Sequence, residues 1–377
     1  MGELIPSSKL FFIVGSGSQK SMKSRVYFVG VSNSDSLGSI QEKLSRLLDK
    51  SNLFDFVDDG DSIAVKMHFG EEGNTGFVRP EYLRLICDKI KKSKAAPFLS
   101  DTNTLYRGRR TNSRDHLLLA CEHGFSKDKV GVEVRILDDT KKENIAIVNV
   151  NQKSIKNAKI AKIFQQADAI VGVSHFKGHM MTGFGGALKN LGMGCATREG
   201  KLAQHSDISP FVIIKNCVGC GACEKICPVK AVSIKNKKSY IDSTKCIGCA
   251  SCIAACQYNA IEVHWESGGG TIQEKMIEYT KAVLKNKEKK SAFINFALKI
   301  TKECDCLAKD DPRMAPDVGI FASKDPVSID KACFDLVNKA CQKDIFKEAH
   351  PERDGLKQLK YAEELSLGKL DYELIEL

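Results

Sequence analysis

Apolar positions recur along this chain with two alternating periods. Residues 25–31 read as a strand, and residues 37–49 place Ile40, Leu44, Leu47 and Leu48 on one face of an amphipathic helix. Residues 62–67 form a short apolar run that predicts a buried strand. Pro80 then marks a helix start, and residues 82–92 carry Leu83, Ile86 and Ile90 at helical spacing. Strands are expected over 98–100 and 132–137, a helix over 156–165 and an apolar strand over 169–173. After a long interruption the same style resumes, with a helix over 272–285, a strand-like stretch over 317–322 and a helix over 329–340. This alternation predicts an α/β domain with a mostly parallel sheet.

The interruption contains two matched cysteine runs. The first is Cys217-x-x-Cys220-x-x-Cys223-x-x-x-Cys227-Pro228, and the second is Cys246-x-x-Cys249-x-x-Cys252-x-x-x-Cys256. Bacterial two-cluster ferredoxins have this spacing, and in them the fourth Cys of each run ligates the other run's cluster. The expected ligand sets are therefore Cys217, Cys220, Cys223 and Cys256 for one [4Fe–4S] cluster, and Cys246, Cys249, Cys252 and Cys227 for the other. Three thiolates two residues apart wrap one cubane only on a tight loop without bulky side chains. Gly219 and Gly221 meet that need in the first run, Gly248 and Ala250 in the second. Pro228 closes the first loop; Gln257 stands in its place in the second, which predicts a slightly altered loop there. Ala231-Val232-Ser233-Ile234 answers Ala260-Ile261-Glu262-Val263, so a loop and a short strand occur twice at an offset of 29 residues. A disulfide framework or paired zinc sites are the alternatives, but zinc knuckles rarely carry four Cys in this triplet-plus-one arrangement.

These features predict an α+β ferredoxin-type 4Fe–4S domain over 209–263, inserted into an α/β host formed by 23–208 and 264–377. Two consecutive independent domains are the alternative. Residues 1–22 read as a disordered N-terminal extension, and Gly268-Gly269-Gly270 as a hinge.

Composition adds compartment and partners. The chain has 42% hydrophobic and 28% charged residues, ordinary for a globular protein. No stretch approaches the roughly 20 apolar residues of a membrane span. Seven cysteines lie outside the two runs, an odd number that fits a reducing compartment, so a cytoplasmic protein is expected. The formal charge is +10; each oxidised cubane with four thiolates carries about −2, leaving roughly +6. That balance suits docking with an acidic electron carrier of the ferredoxin or flavodoxin type. The lysine-rich runs 235–238 and 285–290 read as solvated faces, since no nucleic-acid motif accompanies them.

In the host, polar residues crowd three predicted strand ends. After 62–67 come His68 to Asn74 and then Arg79. After 98–100 come Asp101, Asn103, Tyr106, Arg109 and Arg110. After 169–173 come His175, Lys177, His179, Gly183, Gly185, Gly186 and Lys189. In open α/β sheets ligands bind outside the carboxyl ends of strands, so the three loops predict one cleft. There His175 and His179 are candidates for a shared metal or for acid and base. The glycines are candidates for letting backbone N–H groups approach an anion, with Lys189 adding charge. A plain turn and backbone-bonded histidines are the alternative. Cys304-Asp305-Cys306 adds two thiols that are candidates for a metal shared with His175 or His179, for a redox dithiol, or for buried structure.

Several of these blocks resemble a known family. Lys66-Met67-His68-Phe69-Gly70-Glu71, residues 100–106, residues 175–194, Cys304-Asp305-Cys306 and Phe321-Ala322-Ser323-Lys324-Asp325-Pro326 together are similar to the domain-of-unknown-function family 362, in its branch with an inserted ferredoxin. The resemblance covers about residues 23–377 and implies fold and clusters but no reaction. A shorter likeness, His175-x-x-x-His179 with Gly185-Gly186-Ala187-Leu188-Lys189, is to the N-terminal domain of nickel-pincer lactate racemases.

The leading expectation is an iron–sulfur oxidoreductase of low-oxygen metabolism that relays low-potential electrons to a small anionic or carbonyl substrate. His175, His179, Lys189, His68 and Asp101 are its candidate catalytic groups; Lys66, Asn103, Lys177, Gly185, Gly186 and Arg79 are its candidate binding groups. A non-enzymatic electron carrier or assembly partner, and a non-redox racemase-like enzyme with structural clusters, are the alternatives.

Overall fold

The computed structural model describes residues 23–206, 209–265 and 271–377. The extension expected over 1–22 and the hinge expected at 268–270 lie outside the described residues. The chain is mixed α/β, built on one eight-stranded sheet. Its order is Tyr372–Glu376, Ser24–Gly30, Gly319–Ser323, Ser291–Ala297, Ala169–His175, Ser62–Lys66, Ala96–Ser100 and Val134–Arg135. Gly319–Ser323 runs antiparallel to both neighbours, and the other pairings are parallel. Strands from before and after the cysteine-rich segment therefore share one sheet.

The two middle strands, Ala169–His175 and Ser291–Ala297, are buried along their whole length, as strands covered on both faces must be. Alternate side chains enter two separate cores. Ile63, Val65, Val171, Val173 and Ile294 pack with helices Leu37–Lys50 and Pro80–Lys91. Ala64, Ile170 and Phe293 pack with Ala187–Gly192, Ile272–Leu284 and Pro326–Cys341. Ser36 caps the first helix by accepting Ser39 N–H, and Pro80 opens the second.

The structure corrects several sequence-based elements. The helix expected over 156–165 is a strand, Asn157–Ala161, paired antiparallel with Ile145–Asn149, and only Lys162–Gln166 is helical. Ala158 and Ile160 are buried at a period of two, and that pairing overrides the helical preference of Ala and Lys. The strand over 132–137 shrinks to Val134–Arg135 at the sheet edge. Ser291–Ala297 was not predicted, because Asn295 interrupts its apolar run; that amide is buried and donates to Asp330 Oδ1 at 2.7 Å.

The cysteine-rich segment is small and duplicated in form. Phe211–Val212 pairs with Ile261–Glu262, and Val232–Lys235 with Lys238–Ile241. Helices Ala222–Ile226 and Ser251–Ala255 each carry the third cysteine of a triplet. No helix among the described residues is long and apolar enough to cross a membrane.

Candidate functional site

In both cysteine runs the triplet loop turns through left-handed backbone into a one-turn helix that the fourth Cys terminates. Gly221 (φ +77°) and Ala250 (φ +57°) hold the equivalent N-cap positions, so the second run places an alanine where glycine is relaxed. A Cβ on Gly219 would collide with the Lys237 carbonyl, where the hairpin lies over the loop. The altered second loop expected from Gln257 is not found. Cys227 and Cys256 have matching dihedrals, φ −74° ψ 113° and φ −78° ψ 107°. Ala231 N–H donates to Cys227 Sγ and Ala260 N–H to Cys256 Sγ, each at 3.2 Å. The Gln257 carbonyl accepts from Arg107.

Two small cavities sort the eight thiols into crossed sets. One is lined by Cys217, Cys220, Cys223 and Cys256, with Ile234, Ala260 and Ile261. The other is lined by Cys227, Cys246, Cys249 and Cys252, with Pro210, Val232 and Ile241. All fifteen cysteines are free of disulfides. Backbone donors aimed at sulfur, including Ser239 N–H to Cys217 Sγ at 3.3 Å, and an apolar sleeve are what a thiolate-held cluster requires. The donor set therefore fits such a group.

A larger cavity of about 560 Å³ opens beyond the carboxyl ends of the central strands. Lys66, His68, Asp101, His175, Lys177, His179, Gly185, Gly186, Lys189, Cys304 and Cys306 all line it. Asn103 does not: its amide donates to Ser113 Oγ (3.0 Å) and Asp139 (3.2 Å) behind the loop. Arg79 is half-exposed at the start of helix Pro80–Lys91, beside Glu81. These two candidate binding residues lie away from the cavity.

Most charged groups of the lining are committed to one another. Lys66 Nζ donates to Met67 O (2.8 Å) and Asn190 Oδ1 (2.7 Å) and pairs with Asp101 (3.0 Å). Burial alone would raise the Asp101 carboxyl, but the Lys66 ammonium, with Arg110 beyond it, holds it below the ordinary carboxylate range. His68 sits between Gly70 N–H and the Arg110 guanidinium, each at 2.9 Å, and burial with Arg110 keeps it neutral. His175 faces the Asp305 carboxylate through Nδ1 (2.9 Å) and the Leu298 carbonyl through Nε2 (2.8 Å). Lys177 Nζ completes this group, 3.0 Å from Asp305. Neither nitrogen of His175 is left for a metal, so His175 and His179 do not share one. We expect His175→Ala to cost about 3–5 kcal/mol in chemical denaturation, because it breaks a buried charged network; an unchanged midpoint would contradict the packing described.

Of the lining groups named above, four remain available: Lys189, His179, Cys304 and Cys306. Lys189 Nζ donates to Cys304 Sγ at 3.4 Å and, among the described residues, makes no other side-chain hydrogen bond. Burial, then Lys189 and Lys177, push His179 well below the ordinary histidine value, so its ring is neutral. The neighbouring Cys306 thiol, together with Lys177 and Lys189, favours the Cys304 thiolate, while Cys306 keeps its proton.

The anion site expected at the glycines is already filled from within. The Asp330 carboxylate accepts Ala187 N–H (2.7 Å) and Leu188 N–H (3.0 Å) at the start of helix Ala187–Gly192. A Cβ on Gly186 would collide with that carboxylate, so this glycine admits the cap. Gly186→Ala is expected to lower stability by about 1–3 kcal/mol, read as a shifted unfolding midpoint.

Arg110, named at a strand end but given no role by sequence reasoning, is buried, holding Glu71 (3.0 Å), Tyr106 Oη (2.6 Å) and His68. Two other lining residues were missed. Lys201 and His205 project from helix Arg198–His205. Burial drives Lys201 down to about 8 and His205 to about 3. No motif marks that helix. Arg110 and Asp305, by contrast, lie within the strand-end loop and the Cys304–Cys306 segment the sequence did single out.

The cysteine-rich segment and the cavity share a wall. Leu105 and Leu202 belong to the apolar core that contains Cys217, Cys223, Cys252 and Cys256. Leu105 also lines the cavity.

A family profile described as "Domain of unknown function (DUF362)" matches residues 63–335. Among solved structures, the chain is similar to the lactate racemase apoprotein from Thermoanaerobacterium thermosaccharolyticum, at 14% identity over 72% of this chain and 50% of that one, with a TM-score of 0.40. It is also similar to a structural-genomics protein from Thermotoga maritima, at 13% identity over 82% of this chain and 58% of that one, with a TM-score of 0.36. The chain thus spans between half and three-fifths of the length of these two, and likenesses this distant say nothing of activity. No curated protein matches.

Proposed function

The chain belongs to the DUF362 family, and from that premise we propose that it is an iron–sulfur reductase whose cysteine-rich segment serves the large cavity. Residues 209–263 are, in this reading, a ferredoxin-type domain inserted in the α/β host. Cys217, Cys220, Cys223 and Cys256 hold one [4Fe–4S] cluster, and Cys246, Cys249, Cys252 and Cys227 hold the other. Such clusters supply single electrons at low potential.

The observation that carries the reading is the shared wall: one residue, Leu105, belongs to the apolar core that contains four of the cluster cysteines and also lines the cavity. An electron leaving the segment there need cross no solvent. Inside the cavity, Lys189 is the cation placed to bind an anionic or carbonyl oxygen. Lys66, Asp101, Lys177, His175 and Arg110 fix the walls through their mutual bonds and leave Lys189 as the accessible charge.

The electron donor in this reading is an acidic carrier of the ferredoxin or flavodoxin type. Around the cysteine loops, exposed Ile214, Val218, Tyr240 and Tyr258 are interspersed with Lys215, Lys235, Lys237 and Lys245. An apolar patch with a basic rim suits brief, salt-sensitive docking.

The test is anaerobic reoxidation. Dithionite-reduced protein is mixed with a panel of small carboxylates and carbonyl compounds while its cluster absorbance is followed. The reading predicts that at least one class restores the oxidised spectrum and is itself reduced. If no class does so while an acidic ferredoxin exchanges electrons freely, the chain is a carrier and not a reductase.

A further inference from the structure

We propose that Cys304, Cys306 and His179 form a mononuclear site for a soft divalent metal, zinc by preference, with an open position facing the cavity. The proposal does not rest on the electron-relay reading, because such an ion would hold an oxygen of the bound molecule whether or not electrons reach it.

The three ligand atoms lie within 4.8 Å of one another. Metal–sulfur bonds of about 2.3 Å and metal–nitrogen bonds of about 2.0 Å close that triangle with small side-chain movements. All three residues line the same cavity, so a fourth ligand comes from its contents. Three protein ligands with one open position is the arrangement of catalytic zinc, whereas structural zinc is closed by four. Two sulfurs and an imidazole select zinc over hard cations.

The backbone prepares the site. Asp305, between the two cysteines, is anchored by His175 and Lys177, and its carbonyl accepts Glu71 N–H at 3.0 Å. The Cys306 carbonyl accepts the Tyr106 hydroxyl at 2.7 Å. These bonds fix the loop on both sides of the thiols, and residues two apart in such a loop present their side chains together. His179 is oriented too. The Thr182 hydroxyl gives its proton to the Phe184 carbonyl (2.7 Å), leaving its oxygen to accept from His179 Nδ1–H at 3.1 Å. Without an ion, Met181 N–H donates to that same Nδ1 at 3.2 Å, so metal binding at Nε2 moves the ring proton to Nδ1 and exchanges that bond for the one to the Thr182 oxygen. The Lys189 ammonium beside Cys304 Sγ does not oppose the ion. Two thiolates and a divalent metal carry no net charge, and an N–H donor to a ligating sulfur is ordinary outer-shell support.

The experiment uses the full chain, purified anaerobically, with zinc and iron measured together. We expect about one zinc per chain besides the iron. After stripping, titration with zinc alone should restore it. Cys306→Ser and His179→Ala should each weaken zinc binding more than about tenfold, with iron content and cluster absorbance unchanged. Cobalt(II) in the unmodified protein should give a thiolate-to-cobalt charge-transfer band, which needs no variant to fold. Zinc content unaffected by both substitutions, or no cobalt–thiolate band, would overturn the proposal. So would a Cys304–Cys306 disulfide that forms equally fast with and without zinc. Iron present without zinc refutes this site alone; zinc present without iron refutes the relay alone.

Discussion

Cys256→Ser is expected to leave the same residual EPR spectrum as Cys220→Ser, although the two residues belong to different runs. Both line one cavity with Cys217 and Cys223. Each replacement should therefore remove or convert the same cluster and lower iron from about eight to about four per chain. Cys227→Ser should pair in the same way with Cys249→Ser, since those residues line the other cavity with Cys246 and Cys252. If Cys256→Ser instead matches Cys249→Ser, each run holds its own cluster and the crossed assignment fails. The effect on folding should be large as well. The segment's core is a small set of apolar residues around the cysteines, and metal binding in such modules is part of the folding free energy.

Lys189→Met is expected to slow reoxidation by the accepting substrate about 10²–10³-fold while leaving iron, sulfide and the cluster spectrum intact. Lys189 is the lysine of the lining whose ammonium is not engaged by oxygen acceptors among the described residues: it reaches only Cys304 Sγ. Lys66, Lys177 and Lys201 each satisfy two or three acceptors. Replacing those would damage the frame before it informed on chemistry. Stopped-flow absorbance of the dithionite-reduced variant decides the matter. Full-rate reoxidation by the small molecule would remove Lys189 from the site; loss of the cluster spectrum would make its role structural.

The sheet and the site were legible to different degrees, for physical reasons. Period-2 and period-3.6 patterns exposed most of the host because each element buries one face. They failed where a buried polar residue interrupts an apolar run, as at Ser291–Ala297 with its Asn295, and where local preference loses to pairing, as at Asn157–Ala161. The cavity's histidines and lysines were visible as strand-end loops, but their division of labour was not. Nothing in the order of residues tells that Asp305 and the Leu298 carbonyl occupy both nitrogens of His175, or that Asp330, more than 140 positions on, caps the helix after Gly186. Those facts belong to tertiary packing. Lys201 and His205 escaped notice because a short amphipathic helix with one lysine and one histidine looks like any surface helix.

The most direct measurement is iron and acid-labile sulfide analysis of the anaerobically purified chain, with EPR after dithionite reduction. The account predicts about eight iron and eight sulfide per chain, and a reduced spectrum broadened by interaction between two [4Fe–4S]⁺ centres. About four iron with a single uncoupled signal would remove one cluster. Zinc in place of iron at these eight cysteines would contradict the account altogether.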